Sequence, residues 1–254
     1  MPHPTPDAAP LERQLVWDWP TRILHLALAG LFTVAFAWAL LAPEHSPAFV
    51  VHSALGLVLG AAVLLRLGWG LVGSRPSRFS AFLHSPAALV RYVRDAARGV
   101  DRPTAGHNPG AGYAAWAMFL LPLGLVGTGL AMGRGLHAAE EVHGALAYAL
   151  LGVVGLHLLG LAWHTRRHRE AIALSMVHGR RRIPAGTGIA GARPVAGILV
   201  ALGLGAVAFL VARGLDPARG TLTLPGGAGT WVLKADKGGD GAPAAPGHGD
   251  GDDD

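Results

Sequence analysis

The chain has 254 residues, 51% of them hydrophobic and only 15% charged, with 37 glycines and no cysteine; its mean hydropathy is +0.39. This composition excludes an ordinary soluble domain and fits a small polytopic membrane protein. The absence of cysteine excludes disulfides and every thiolate-held metal group. A net charge of +5 invites a nucleic-acid reading, which the placement of the arginines rejects, as follows.

Residues 1–22 read as a proline-containing lead ending in VWDWPTR, with Trp17 and Trp19 as interfacial aromatic anchors. The first apolar run, Ile23–Leu41, contains Ala35, Phe36 and Ala37, which resemble a signal-peptide cleavage site. The run is too long for a signal peptide, and Asp7, Glu12 and Asp18 precede it, so it reads as a retained span. Further spans are expected over Val50–Leu71, Tyr113–Met132, Val142–His164 and Val195–Ala212, the last being the shortest.

Between the second and third spans, Pro86–Arg98 alternates apolar residues and arginines at helical spacing. An amphipathic helix on the inner membrane surface is expected there, a solvated loop helix being the alternative. After the fourth span, HTRRHREAIALSMVHGRRR is expected to continue as helix and stop near Gly179 and Pro184. Ala185–Ala192 reads as a linker. In the fifth span Gly197, Ala201 and Gly205 form a small-residue stripe suited to close packing. Beyond Leu215, short strands fit Thr221–Leu224 or Thr230–Leu233, and about the last fifteen residues are expected to be disordered.

Arg66, Arg75, Arg78, Arg91, Arg94, Arg98 and Arg102 fall between the second and third spans, and a second group from Arg166 to Arg193 between the fourth and fifth. The opposite loops hold little beyond Glu44, His45, Arg134, Glu140 and Glu141. The positive-inside rule then puts the N-terminus in the cytoplasm and the C-terminus in the periplasm of a bacterial inner membrane. The basic balance reports topology and anionic headgroups, so no nucleic-acid partner is expected.

Thirteen histidines are present, and four lie inside spans. His143 and His157 are fourteen residues apart on the fourth, which places them on one helix face roughly 21 Å apart. His25 begins the first span on the inner side and His52 the second on the outer side. Depth therefore pairs His25 with His157 and His52 with His143. Ionisable residues in hydrocarbon are functional candidates, and two matched pairs suit the axial ligation of two stacked, non-covalent b haems. Gly56, Gly60, Gly124, Gly127, Gly129, Gly144, Gly152, Gly155 and Gly160 are expected to leave room for the macrocycles. For any single histidine the alternative is a snorkelling or hydrogen-bonded residue. Arg22 and Arg66 are candidate partners for haem propionates, or else topological arginines. His3, His45, His84, His137 and His248 sit in loops and tails; His164 and His168 have i,i+4 metal spacing but lie among arginines.

The stretches VWDWPTRILH, RLGWGLVGSRPSRFSAF, GHNPGAG and HRE…MVHGRRR resemble the bacterial di-haem cytochrome b family, which embraces cytochrome b561 and the b-type subunits of Ni-Fe hydrogenases and formate dehydrogenases. The likeness runs from about Leu15 to Arg182. It implies a haem-ligand set matching His25, His52, His143 and His157, and a quinone site near the inner haem around His107, Asn108 and Gly110. There a glycine-rich turn offers backbone N–H groups, unless Asn108 and Pro109 merely start a helix. Where relatives carry tryptophan after the first ligand, this chain has Leu26.

The fold expected is an all-α integral membrane protein, a four-helix transmembrane di-haem bundle plus a fifth transmembrane helix. Residues 1–22 form the lead, 23–182 the di-haem domain, 183–213 the linker and fifth helix, and 214–254 a flexible acidic periplasmic tail. The function expected is electron transfer between the quinone pool and a periplasmic redox partner, a c-type cytochrome or an oxidoreductase subunit. Rival readings are an anchor subunit of a hydrogenase or formate-dehydrogenase-like complex, a superoxide:quinone oxidoreductase, and a haem-free scaffold. Whether the chain is itself a quinol:acceptor enzyme, and whether it forms a homodimer in the lipid, stays open.

Overall fold

The computed structural model describes residues 10–43, 46–100, 107–224 and 229–233. Glu44, His45, Arg102 and the terminal residues carrying His3, His248 and the last aspartates lie outside them. Five helices are long and apolar enough to cross a membrane: α1 (Trp19–Leu41), α2 (Val50–Val72), α4 (Pro109–Gly133), α5 (Ala139–His168) and α7 (Pro194–Gly214). The amphipathic segment forms α3 (Pro86–Ala97), N-capped by the Ser85 hydroxyl. All of these occur where the hydropathy pattern expects them.

α2 is the central element, packed by α1, α4 and α7. Val50, Ala54, Val58 and Ala62 form a buried stripe at i,i+4 spacing on one side, and Val63 meets Phe82, Ala115 and Phe119 on another. α5 leans on α4, and no comparable packing joins it to α1. Leu156, Leu159 and Trp163 on α5 and Ile198 and Leu199 on α7 stay exposed, as lipid-facing side chains do.

Against α1 and α2, α7 buries Gly197, Leu204 and Val211. That seam has a seven-residue spacing, whereas the sequence suggested a stripe of four through Ala201 and Gly205, both of which are exposed. Within the expected stripe Gly197 makes the close approach, since a Cβ there would lie 2.6 Å from the Trp19 Cβ, whereas Gly205 faces open space.

The face that the arginine distribution assigns to the inner side departs from expectation. α5 stops at His168, with Arg169 in the left-handed region at φ 52°. A 3₁₀ turn at Ile172–Leu174 and the short α6 (Ser175–His178) follow, then strand β2 (Arg180–Pro184). β2 pairs antiparallel with β1 (Leu11–Leu15) in the N-terminal lead. Gly179 makes this turn at φ +78°, its carbonyl accepting from the Val16 and Trp17 amides. A helical period read through residues 169–184 could not anticipate a partner strand about 170 positions away.

The outer face departs as well. Instead of a flexible tail from residue 214, the described residues form a three-stranded antiparallel sheet of β3 (Leu215–Asp216), β4 (Thr221–Thr223) and β5 (Thr230–Val232). Both candidate strands form, each being the other's partner.

Asp18 fastens the inner ends of α1 and α2 together. Its fully buried carboxylate caps α1 through the Thr21 amide and accepts from the Trp69 indole at 3.1 Å and the Ser74 amide at 3.1 Å. The Thr21 hydroxyl extends the network to Ser77. Burial alone would raise the Asp18 pKa; hydrogen bonds from Thr21 and Ser74 outweigh it and hold the carboxyl below its usual range. The stabilisation is therefore complete above the unfolded carboxylate pKa of about 3.9 and is lost as pH falls through the lower folded value. Asp18→Ala, which orphans several buried donors, is expected to cost roughly 2–4 kcal/mol. Thermal unfolding in detergent checks this, and an unchanged Tm would show that the clamp contributes nothing.

Candidate functional site

Two histidine sites occupy the two ends of the bundle. On the outer side, His52 in the first turn of α2 and His143 in the first turns of α5 have ring centroids 6.1 Å apart at an interplanar angle of 74°. His52 Nδ1 lies 2.8 Å from the Ala35 carbonyl of α1. A carbonyl only accepts, so Nδ1 carries the proton and Nε2 keeps its lone pair. His143 Nδ1 lies 2.9 Å from the Thr128 hydroxyl of α4, whose own proton is committed to the Gly124 or Leu125 carbonyl. Nδ1 of His143 is therefore the donor as well.

Both imidazoles thus present an unprotonated Nε2 with Nδ1–H fixed by a second partner, the arrangement metal-binding histidines adopt. Metal–imidazole bonds of about 2 Å on either side of one ion put ring centres roughly 6 Å apart. The pair matches that separation.

On the inner side, α1, α4 and α5 enclose a cavity of about 1150 Å³, at the upper end of what small-molecule pockets occupy. His25 from α1 and His157 from α5 both line it. Leu28, Phe32, Phe119, Pro122, Val153 and Val154 make much of the wall apolar. Among the described residues, His25 Nδ1, Arg66 Nη1 and His107 Nδ1 are buried on this wall without a hydrogen-bond partner. Orphaned donors and acceptors in an apolar cavity are costly unless an occupant satisfies them. A flat apolar group with ligatable iron and peripheral carboxylates fits all of these features.

The two candidate arginines separate. Arg66 is 5% exposed, donates through Nη2 to the Ser77 carbonyl at 3.2 Å and leaves Nη1 on the cavity wall. Arg22 does not line the cavity; its guanidinium lies 4.2 Å over the Trp19 ring and bonds the Met176 and Val177 carbonyls of α6. Those contacts hold it against α6, away from the cavity wall on which Arg66 lies. Arg181, an inward residue of β2, lines the cavity instead. Read as one of a run of topological arginines, it gave no sign of burial until β2 was seen to be a strand.

His107, Asn108 and Gly110 also line the cavity. The His107 ring sits between Trp17 at 5.3 Å and Phe82 at 4.8 Å, and burial pushes its pKa down to about 3. Asn108 caps α4, accepting from the Ala111 amide at 2.8 Å, so its side-chain oxygen is engaged. At Gly110 a Cβ would meet the Tyr92 ring of α3 at 3.0 Å. Leu26 is 52% exposed and off the cavity wall. His164 and His168 stack at 4.4 Å on the wall, and among the described residues no group of three metal-ligating side chains forms.

The glycines divide by role. Gly56, Gly127, Gly144, Gly152, Gly155 and Gly160 face open space, and Gly160 lines the cavity. Gly60 and Gly124 instead permit close helix contact, with Val126 and Leu146 at 2.9 and 3.0 Å from a hypothetical Cβ. At Gly129 a Cβ would lie 3.8 Å from the His143 ring, an ordinary contact.

A family model described as prokaryotic cytochrome b561 matches residues 16–179, well over half of the chain. No curated protein and no solved structure matches. The matched stretch runs from the inner clamp through α1, α2, α4 and α5, and so contains both histidine pairs and most of the cavity wall. Five apolar spans, two half-buried histidine pairs and this match place the chain in the prokaryotic cytochrome b561 family, multi-pass membrane proteins that bind b-type haem and transfer electrons.

Proposed function

We propose that the chain is a di-haem b-type cytochrome that passes electrons from quinol on the cytoplasmic side to a periplasmic redox partner, with its N-terminus in the cytoplasm. His25 and His157 would hold the inner haem, and His52 and His143 the outer one. The haems supply one-electron redox chemistry, and the protein supplies ligation, spacing and a low dielectric. The observation that carries this reading is the outer pair, whose ring centroids lie 6.1 Å apart while Ala35 and Thr128 engage the two Nδ1 atoms. Arg66 is poised to take a propionate of the inner haem through its unpartnered Nη1.

The same cavity exceeds what one prosthetic group needs and extends to the exposed, lipid-side Leu156, Leu158 and Trp163. A quinone head group entering from the bilayer would lie against His107 and the backbone around Gly110, while Asn108 holds the turn. His107 stays neutral at physiological pH, able to donate or accept one hydrogen bond to a quinone oxygen. On the outer side, the sequence ends in GHGDGDDD, an acidic run beyond the described residues that suits a basic c-type cytochrome.

Three outcomes are expected. A pyridine haemochrome assay gives two haems per chain, both low-spin; His143→Ala removes the outer haem alone and His25→Ala the inner alone. One haem per chain, or loss of the same haem from both variants, overturns the assignment. In redox titration, Arg66→Ala lowers the inner midpoint on the order of tens of millivolts, because a cation favouring the extra electron is gone, while Arg22→Ala leaves it in place. Equal shifts from both would reject the propionate role. Deleting residues 240–254 slows reduction of a basic cytochrome c at low salt and has little effect at high salt; an unchanged low-salt rate removes the steering role.

A further inference from the structure

The chain continues past the family match, and its last described elements reach back over the bundle. α7 runs directly into β3, and the Asp216 carboxylate closes the following turn by accepting from the Ala218 and Arg219 amides, each at 3.1 Å. β4 and β5 complete the sheet, and the Leu233 amide donates back to the Gly220 carbonyl at 2.8 Å. Such a small sheet is barely stable unless it buries a face against something.

It buries that face on the outer ends of three helices. Leu222 and Leu233 are 1% and 8% exposed, in one cluster with Val50 and Ala54 of α2 and Leu204 and Val211 of α7. The Val232 carbonyl presses against Gly133, the last residue of α4, so closely that a Cβ there would overlap it. The Thr223 carbonyl makes the same approach to Gly214, the last residue of α7.

These contacts fall next to the outer histidine pair. Val50 is two residues from His52, and Gly133 is five residues from Thr128, which holds His143. α2 and α4 touch at mid-membrane, where Gly60 meets Val126. Lipid offers no hydrophobic drive to keep helix ends together, so the outer separation of α2 and α4 needs its own tie. The sheet packs directly on α4 and α7 and shares one buried cluster with Val50 and Ala54 of α2.

We infer that the C-terminal sheet is a positioning brace for the outer haem site, with Leu222, Leu233 and the Gly133–Val232 contact setting the distance across which His52 faces His143. The inference rests on the di-haem reading above. The inner pair, at the far end of the bundle beside the Asp18 clamp, is independent of the sheet.

The test uses the full-length protein purified in detergent, comparing Gly133→Val, a truncation after Gly214, and the volume-conserving Leu222→Met. EPR and redox titration are read for each haem separately. Gly133→Val and the truncation are expected to shift the low-spin EPR signal and midpoint of the outer haem, or to lose that haem. The inner haem stays unchanged, and Leu222→Met behaves as the parent chain. Unchanged spectra for both haems in the two disruptive variants overturn the brace. Equal loss of both haems overturns it too, in favour of general destabilisation. One haem in the parent chain defeats the di-haem reading itself, a result visible before any variant is made.

Discussion

An imidazole carried into hydrocarbon has two nitrogens to satisfy and no water to satisfy them with. The rest of the outer site depends on how that constraint is met. The Ala35 carbonyl can accept from the His52 ring because α1 passes close to α2 at that depth. The Thr128 hydroxyl is available to the His143 ring as an acceptor because its own proton is spent inside α4. Each contact fixes one tautomer and makes Nε2 the nitrogen that carries the lone pair.

The inner half meets the same constraint on a larger scale. The Asp18 carboxylate sits at the edge of the apolar zone with every nearby donor turned towards it, which lets Trp69 and the Ser74–Ser77 turn pack without orphaned polar groups. That turn supplies the carbonyl that holds one side of Arg66 and leaves the other side facing the cavity. The motifs WDWPTR and GWGLVGSRPS are therefore two halves of one structural unit. Their residues position a charge at the cavity wall at a distance in sequence of more than forty positions.

The five spans, the amphipathic α3 and the two histidine depths were legible because helical period, span length and alternating topology act locally or add simply along the chain. The β1–β2 pair and the outer sheet were not, since strand pairing depends on partners far apart in sequence or on turns of uncertain length. Arg22 and Arg66 looked alike in sequence, each one turn or so from a span boundary. What separates them is the α6 carbonyls that capture Arg22, and α6 itself follows an α5 that ends earlier than its polar continuation suggested. Asp18 read as one acidic residue among several, its importance lying wholly in donors from another helix. Thr128 carried a signal that could have been used: a lone hydroxyl within an apolar span, on the helix preceding the His143 helix.

The two ends of the bundle are built differently. The outer pair is narrow, with its tautomers fixed and three helix ends tied by a sheet. The inner pair opens into a cavity whose wall carries His25, His107 and Arg66 with atoms still unpaired. Rigidity suits a site that only relays an electron, because ligand geometry that does not change with redox state keeps reorganisation small. Room, a lipid-side opening and uncommitted polar atoms suit a site where a second molecule must enter, bind and leave. The spacious end also lies beside the arginine-rich loops, so a carboxylate-bearing occupant there would have guanidiniums within reach, which the sparsely charged loops at the other end do not offer.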